Sequence, residues 1–219
     1  MKKTKEFLQK LDQDKLYSFI LTSLRCNEQF LIDFNLEFDE PTDEDYVRLR
    51  ESIDRSLYRA TSAKAYMISV DTEEYMERAK HGYIQFAFDI AKHLFEQVVD
   101  MHDCFMPICE VDDFLGSCFA DVQKIADLAV DLEDKAYVFS GCLELSDLDF
   151  SDCQDDYEEP LVDISATLLA KENHRTNKSD LSFFKDETHG DMFNQALLQT
   201  TIELYGEEAG ARLPLQKNH

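Results

Sequence analysis

A chain of 219 residues with 44% hydrophobic content, 16 Phe and 9 Tyr carries enough apolar material for a domain-sized core, which excludes wholesale disorder. Its formal net charge of -24 excludes a passive phosphate-binding surface, because nucleic-acid binders present a basic stripe, and it disfavours anionic membranes. Only 6 Gly and 4 Pro punctuate the chain, which favours long helices over many short strands.

The opening MKKTKEFLQKLDQDKLYSFILTS is broken by Lys and Asp before a useful apolar run forms, so it does not read as a signal peptide. Residues 4–35 read instead as helix, with Phe7, Leu8, Leu11, Leu16, Phe19, Ile20 and Leu24 at mostly helical spacing. Pro41 ends an element, and Thr42 is placed to cap the next helix, with Asp43, Glu44 and Asp45 in its first turn. Tyr46, Leu49, Ile53 and Leu57 then fall on one helical face. Residues 65–70 (AYMISV) suit a short strand or a helix end. Asp71 and Glu74 have capping spacing and open the longest predicted helix, 72–101, with Tyr75, Tyr83, Phe86, Ile90, Leu94 and Val98 inward. Pro107 ends that region. A helix over 111–133 turns Leu115, Phe119, Val122, Ile125, Ala126 and Ala129 to the core. The run AYVFSGCLEL (136–145) is the best strand candidate, without an evident mate. Pro160 is placed to start a helix over 161–172; residues 173–190 read as loop, and a last helix covers 191–205 up to Gly206. The expected fold is all-α, a bundle-like helical domain over 1–205 with room for a minor β-strand pair, followed by a frayed tail, 206–219. No window approaches an uncharged membrane span. The six cysteines include no C-x-x-C pair, which with no export signal predicts reduced thiols in a cytoplasmic protein.

The charge is unevenly spread. Residues 1–92 have a net charge of -4 and residues 171–219 a net charge of -2, whereas residues 93–170 hold 20 acids against only Lys124 and Lys135. Like charges at that density repel, so a bound cation, a cationic partner or ample core burial must offset them. The densest stretch, LSDLDFSDCQDDYEEP (145–160), has seven carboxylates and no base.

Three constellations in and near this region suggest chemistry. Counted from Asp147, the residues Asp147, Asp149, Ser151, Asp155 and Glu158 occupy positions 1, 3, 5, 9 and 12 of a loop that resembles the calcium loop of the EF-hand family. The resemblance implies a calcium-binding module, but Asp152 stands where the sharp turn uses Gly and Gln154 where an apolar residue belongs. Next, His81, His102-Asp103 and a later Asp127 or Asp131 follow the order of ligands in the HD phosphohydrolase family. That resemblance implies a divalent metal activating water against a phosphoester. It requires a turn between the histidines, since one continuous helix would hold them about 31 Å apart. Last, His93, Glu96, Asp100 and Asp103 form one helical stripe, which without a matching Glu-x-x-His elsewhere reads as a solvent face. Nucleotide-binding, nucleophile-elbow and zincin signatures are absent from the sequence.

A metal site needs a few ligands in one place, whereas twenty acids over 78 residues suit a broad surface. The expectation is therefore a non-enzymatic, acidic protein-binding module of inhibitor or immunity type. Its clustered carboxylates would engage a basic, nucleic-acid-handling protein, as a mimic of DNA, with no direct nucleic acid, membrane or cofactor. The residues expected to carry it are Asp147, Asp149, Asp152, Asp155, Asp156, Glu158 and Glu159, with Phe150 and Tyr157 as apolar anchors and Asp112, Asp113 and Asp121 extending the patch. The HD-type metal site (His81, His102, Asp103, Asp127) and the calcium loop are the alternatives.

Overall fold

Capping and helical periodicity dominate the chain. In the computed structural model, which describes residues 12–27, 30–31, 34–35, 38–62, 68–103, 108–153, 155–176, 190–211 and 213, every regular element is helical. The described part is 82% helix with no strand, so the fold is all-α there. The chain divides into two compact units, Met1–Glu40 and Pro41–His219, at a boundary that the sequence reading did not draw.

The first unit contains α1 (Gln13–Cys26). Asp12 caps it, its Oδ1 accepting from the Asp14 and Lys15 amides at 3.0 and 3.3 Å. None of its residues is buried. Phe7, Leu8 and Leu11, expected in the same helix, lie outside the described residues.

In the second unit, α2 (Asp43–Ser62) starts at the expected cap. Thr42 Oγ1 accepts from the Asp45 amide (3.2 Å), and Asp45 accepts in return from the Thr42 amide (3.1 Å), a capping box with Asp in place of Glu. Leu49, Ile53, Leu57 and Ala60 form its buried stripe. The long helix expected over 72–101 is two helices, α3 (Glu73–Lys80) and α4 (Ile84–Val99), followed by a 3₁₀ turn at Asp100–Asp103. Gly82, at φ 93°, ends α3. The Gly82 amide donates to Ala79 O and the Tyr83 amide to Arg78 O, both at 3.0 Å, which is a Schellman motif. The periodicity on either side of Gly82 remains in phase, so hydrophobic spacing alone hides the break.

Helix α4 is the centre of the unit. Ten of its sixteen residues are buried, among them Phe88, Ile90, Leu94, Phe95 and Val98, and it packs on α2, on α3, on α5 (Ile108–Leu128) and on α6 (Leu132–Ser146). A helix apolar on so much of its circumference belongs inside. The expected strand at 136–145 is part of α6: Val138, Cys142 and Leu145 share one buried row and Phe139, Leu143 and Ser146 the next, a helical rather than alternating pattern. Helix α7 (Glu158–Thr176) starts before Pro160, which sits in its first turn where no amide partner is needed. It packs between α6 and α8 (Gly190–Tyr205). Of the tail expected to fray, 206–219, the described start forms a helical turn, α9 (Glu207–Gly210), packed on α8 with Gly210 buried, and 212 and 214–219 lie outside the described residues. Among the described residues, no helix is long and apolar enough to cross a membrane.

Candidate protein-binding face

The acidic loop runs from Asp147, at the end of α6, to Tyr157, just before α7. Its own turns set its course: the Cys153 amide donates to Phe150 O (2.9 Å), the Ser151 amide to Asp149 Oδ1 (3.0 Å) and the Glu158 amide to Asp156 Oδ1 (2.9 Å). The bond from Ser151 holds the Asp149 carboxyl below its ordinary range. Two aromatics fasten this loop to the core. Phe150 and Tyr157 are each only 8% exposed. Both pack edge-on against Phe95 of α4, at ring separations of 6.2 and 5.9 Å, and Tyr157 also meets Phe119 of α5 at 5.4 Å. The two rings expected to face a partner therefore face inward. Each ring contributes more apolar area to the core than any other side chain in the loop, and the acids around it are better hydrated outside.

The loop acids take the opposite side. Asp147, Asp149, Asp152, Asp155, Asp156 and Glu159 are exposed, and Glu158 is half-buried. Of the suggested extensions, Asp113 is exposed but Asp112 and Asp121 are buried. Asp121 accepts from the buried Tyr75 hydroxyl (2.9 Å) and from Lys124 (2.9 Å), so it joins α3 to α5 rather than extending a surface. Asp112 lies beside the loop. Burial first, then Asp112, Asp152, Asp149 and Asp156, push the Cys153 thiol up to about 11, which keeps it protonated and unsuited to nucleophilic work. On the first turns of α7, burial raises the Asp163 carboxyl, and Glu159 and Glu203 of α8 raise it further, so the acid continues from the loop towards α8.

Both lysines of the acidic middle turn to internal partners. Lys124 bonds Asp121, and Lys135 reaches Glu172 at 3.0 Å. From the flanks, Lys92 takes Glu144 and Lys171 takes Asp127 at 3.4 Å. Among the described residues, no lysine or arginine pairs with Asp149, Asp152, Asp155, Asp156 or Glu159. Among the described residues, thirteen carboxylates between 93 and 170 are exposed.

Beside this surface, α5 and α7 leave a cleft of about 240 Å³. Phe119, Ala126, Ile164 and Leu168 supply the apolar part of its lining, and Asp127, Asp163 and Lys171 stand on its rim. The separate expected helices gave no sign of it, because the cleft depends on how α5 and α7 pack.

The expected metal ligands are not brought together by the described structure. His81 is exposed at the end of α3, Asp127 is exposed on α5, and the side chains of His102 and Asp103 lie outside the described residues. Among the described residues, no three His, Cys, Asp or Glu side chains stand together in a way that would hold a metal. In the loop that resembles an EF-hand, Gln154 is likewise outside the description, and Asp149 and Asp156 serve backbone amides. The turn that the HD-type order required is present at Gly82, but it precedes α4, which still separates 81 from 102.

His93, expected on a solvent stripe, is 6% exposed. Its Nδ1 lies 2.9 Å from Arg50 and its Nε2 2.7 Å from Asp54 Oδ1, both on α2. Arginine only donates, so Nδ1 accepts and the ring proton belongs on Nε2, directed at Asp54. The ring is a polar clamp between α2 and α4. The spacing of Arg50 and Asp54, four apart on α2 and each next to a residue of its buried stripe, Leu49 and Ile53, was the available signal.

No protein-family model, curated protein or solved structure matches this chain.

Proposed function

We propose that the chain is a non-enzymatic binding module, of inhibitor or immunity type, whose acidic face engages the cationic surface of a nucleic-acid-handling protein in the cytoplasm and occupies it as DNA would. The observation that carries this reading is the loop's construction. Among the described residues, Asp149, Asp152, Asp155, Asp156 and, on the first turn of α7, Glu159 are exposed without a lysine or arginine partner, and the loop's two aromatics are buried in the core. A fixed array of negative charge is what electrostatic steering and phosphate mimicry require, since a floppy array would lose ordering entropy on binding. Phe150 and Tyr157 thus support the interface from beneath instead of entering it. The four described free cysteines fit a reducing compartment.

The test is a capture experiment with tagged protein at about 0.05 M and about 0.5 M salt, because the Debye length falls from beyond about 10 Å to about 3–4 Å over that range. The variant D152K/D155K/E159K reverses three exposed charges without touching the core. A basic, nucleic-acid-handling protein should be retained at low salt and released at high salt, and the triple variant should slow its association about tenfold or more. Equal retention by the wild type and the triple variant at both salts would sink the reading.

A further inference from the structure

We infer that the cleft between α5 and α7 is the apolar anchor pocket of the acidic face, and that it takes one aliphatic side chain from a lysine- and arginine-rich segment of a partner protein. The inference rests on the reading of the acidic face as a protein-binding surface, and it specifies what that surface recognises.

Charge alone provides rate and register more than affinity, and tight interfaces centre on an apolar side chain in a desolvated pocket. The acidic loop has no such side chain to offer, because Phe150 and Tyr157 are buried against Phe95. The anchor must then come from the partner, and the receiving pocket from this chain. The cleft has the required form. Its lining is evenly divided between apolar and polar surface: Ala126, Ile164 and Leu168, buried, and Phe119, half-buried, supply the apolar part, and Gln123 and Thr167 stand among the polar residues around them. At about 240 Å³ it falls short of the roughly 300–1,000 Å³ of a cofactor or drug-sized site and suits a side chain.

Its rim selects the neighbours of that side chain. Asp127 and Asp163 are exposed on opposite helices, and Glu159 stands one turn before Asp163. Partial burial and the neighbouring carboxylates already raise the Asp163 carboxyl, so a cation placed there relieves crowding that the free chain bears. Lys171 holds Asp127 at 3.4 Å in an exposed pair, which an incoming guanidinium can displace at little cost.

The probes are two short synthetic peptides of lysine and arginine that differ only at the central residue, leucine in one and alanine in the other. Binding to the full chain is read by fluorescence anisotropy, with the methyl resonances of Ile164 and Leu168 followed in parallel. The leucine peptide should bind about tenfold more tightly, in line with the burial of its extra methylenes, and should shift both methyl resonances. Thr167→Phe and, from the opposite wall, Gln123→Phe fill the cleft from partly or fully exposed positions. Either plug, once its helical circular dichroism matches the wild type, should remove the leucine preference and leave the salt-sensitive binding of the alanine peptide. Equal, salt-sensitive binding of both peptides would overturn the cleft assignment while leaving the acidic face intact. A leucine preference that survives a folded plug would overturn it too, placing the anchor elsewhere. Binding by neither peptide, or binding indifferent to salt, would remove the acidic-face reading and the cleft with it.

Discussion

Glu172 on α7 has no exposed surface, yet it stays charged because two cations enclose it. Arg175 bonds both carboxylate oxygens from one turn along, and Lys135 reaches across from α6 at 3.0 Å. These bonds, with Arg175 the larger influence, hold the carboxyl below its ordinary value of 4.5. The folded form binds a proton less readily than the unfolded chain, so the stabilisation is present above pH 4.5 and is lost as pH falls through the lowered value. Glu172→Gln leaves the largely buried Lys135 facing a neutral amide, while the exposed Arg175 turns to water, and should cost about 1–2 kcal/mol in urea unfolding at neutral pH. The variant should also lose that part of the acid sensitivity, and a neutral-pH stability equal to wild type would disprove the role. None of this was legible beforehand: Glu172 falls at the predicted end of the α7 helix, Arg175 falls in the stretch that reads as polar loop from 173, and the second partner, Lys135, lies on another helix. Asp121, Asp112 and His93 were missed for the same reason. A polar residue on a helix is hydrated or paired according to what packs over it, and the local sequence does not contain that information.

At the scale of elements, the sequence was read well where caps and periodicity agree and poorly where they compete with composition. Thr42 and the row Leu49, Ile53, Leu57 placed α2 correctly, and Leu115, Val122, Ile125 and Ala126 gave the inner face of α5. In α6 the β-branched and aromatic residues of AYVFSGCLEL suggested a strand, but a strand needs a mate, and the packing offered by α4 and α7 prevailed over propensity. Gly141 is the hinge of that packing. A Cβ there would meet Phe88 Cζ at 2.8 Å, and Phe88 is fully buried with nowhere to move. Gly141→Ala should therefore destabilise the protein by about 1–3 kcal/mol, although alanine is the better helix former. Thermal unfolding decides between them: a rise in Tm would mean that helix propensity, not the α6–α4 approach, governs this site.

For the whole molecule, composition correctly indicated an all-α chain, and the concentration of acid in residues 93–170 drew attention to one face. Composition did not show which acids lie outside, and it assigned the aromatics of the loop to the wrong side. The net charge of -24 pushes on the folded chain from many directions at once. Added salt should relieve this: raising sodium chloride from about 0.02 M to about 0.3 M should lift Tm by about 3 °C, the equivalent of roughly 1 kcal/mol for a chain of this size. An unchanged or lower Tm would mean that the charges are already balanced within the fold. The anchoring of the acidic loop by Phe150 and Tyr157 has one more consequence. Shape rests on the rings beneath and on single oxygens of Asp149 and Asp156 that an amide retains, whereas the field rests on the charge of the carboxylates above. Replacing the exposed acids by their amides would keep the outline and silence the potential, so form and charge in this protein can be varied as independent coordinates.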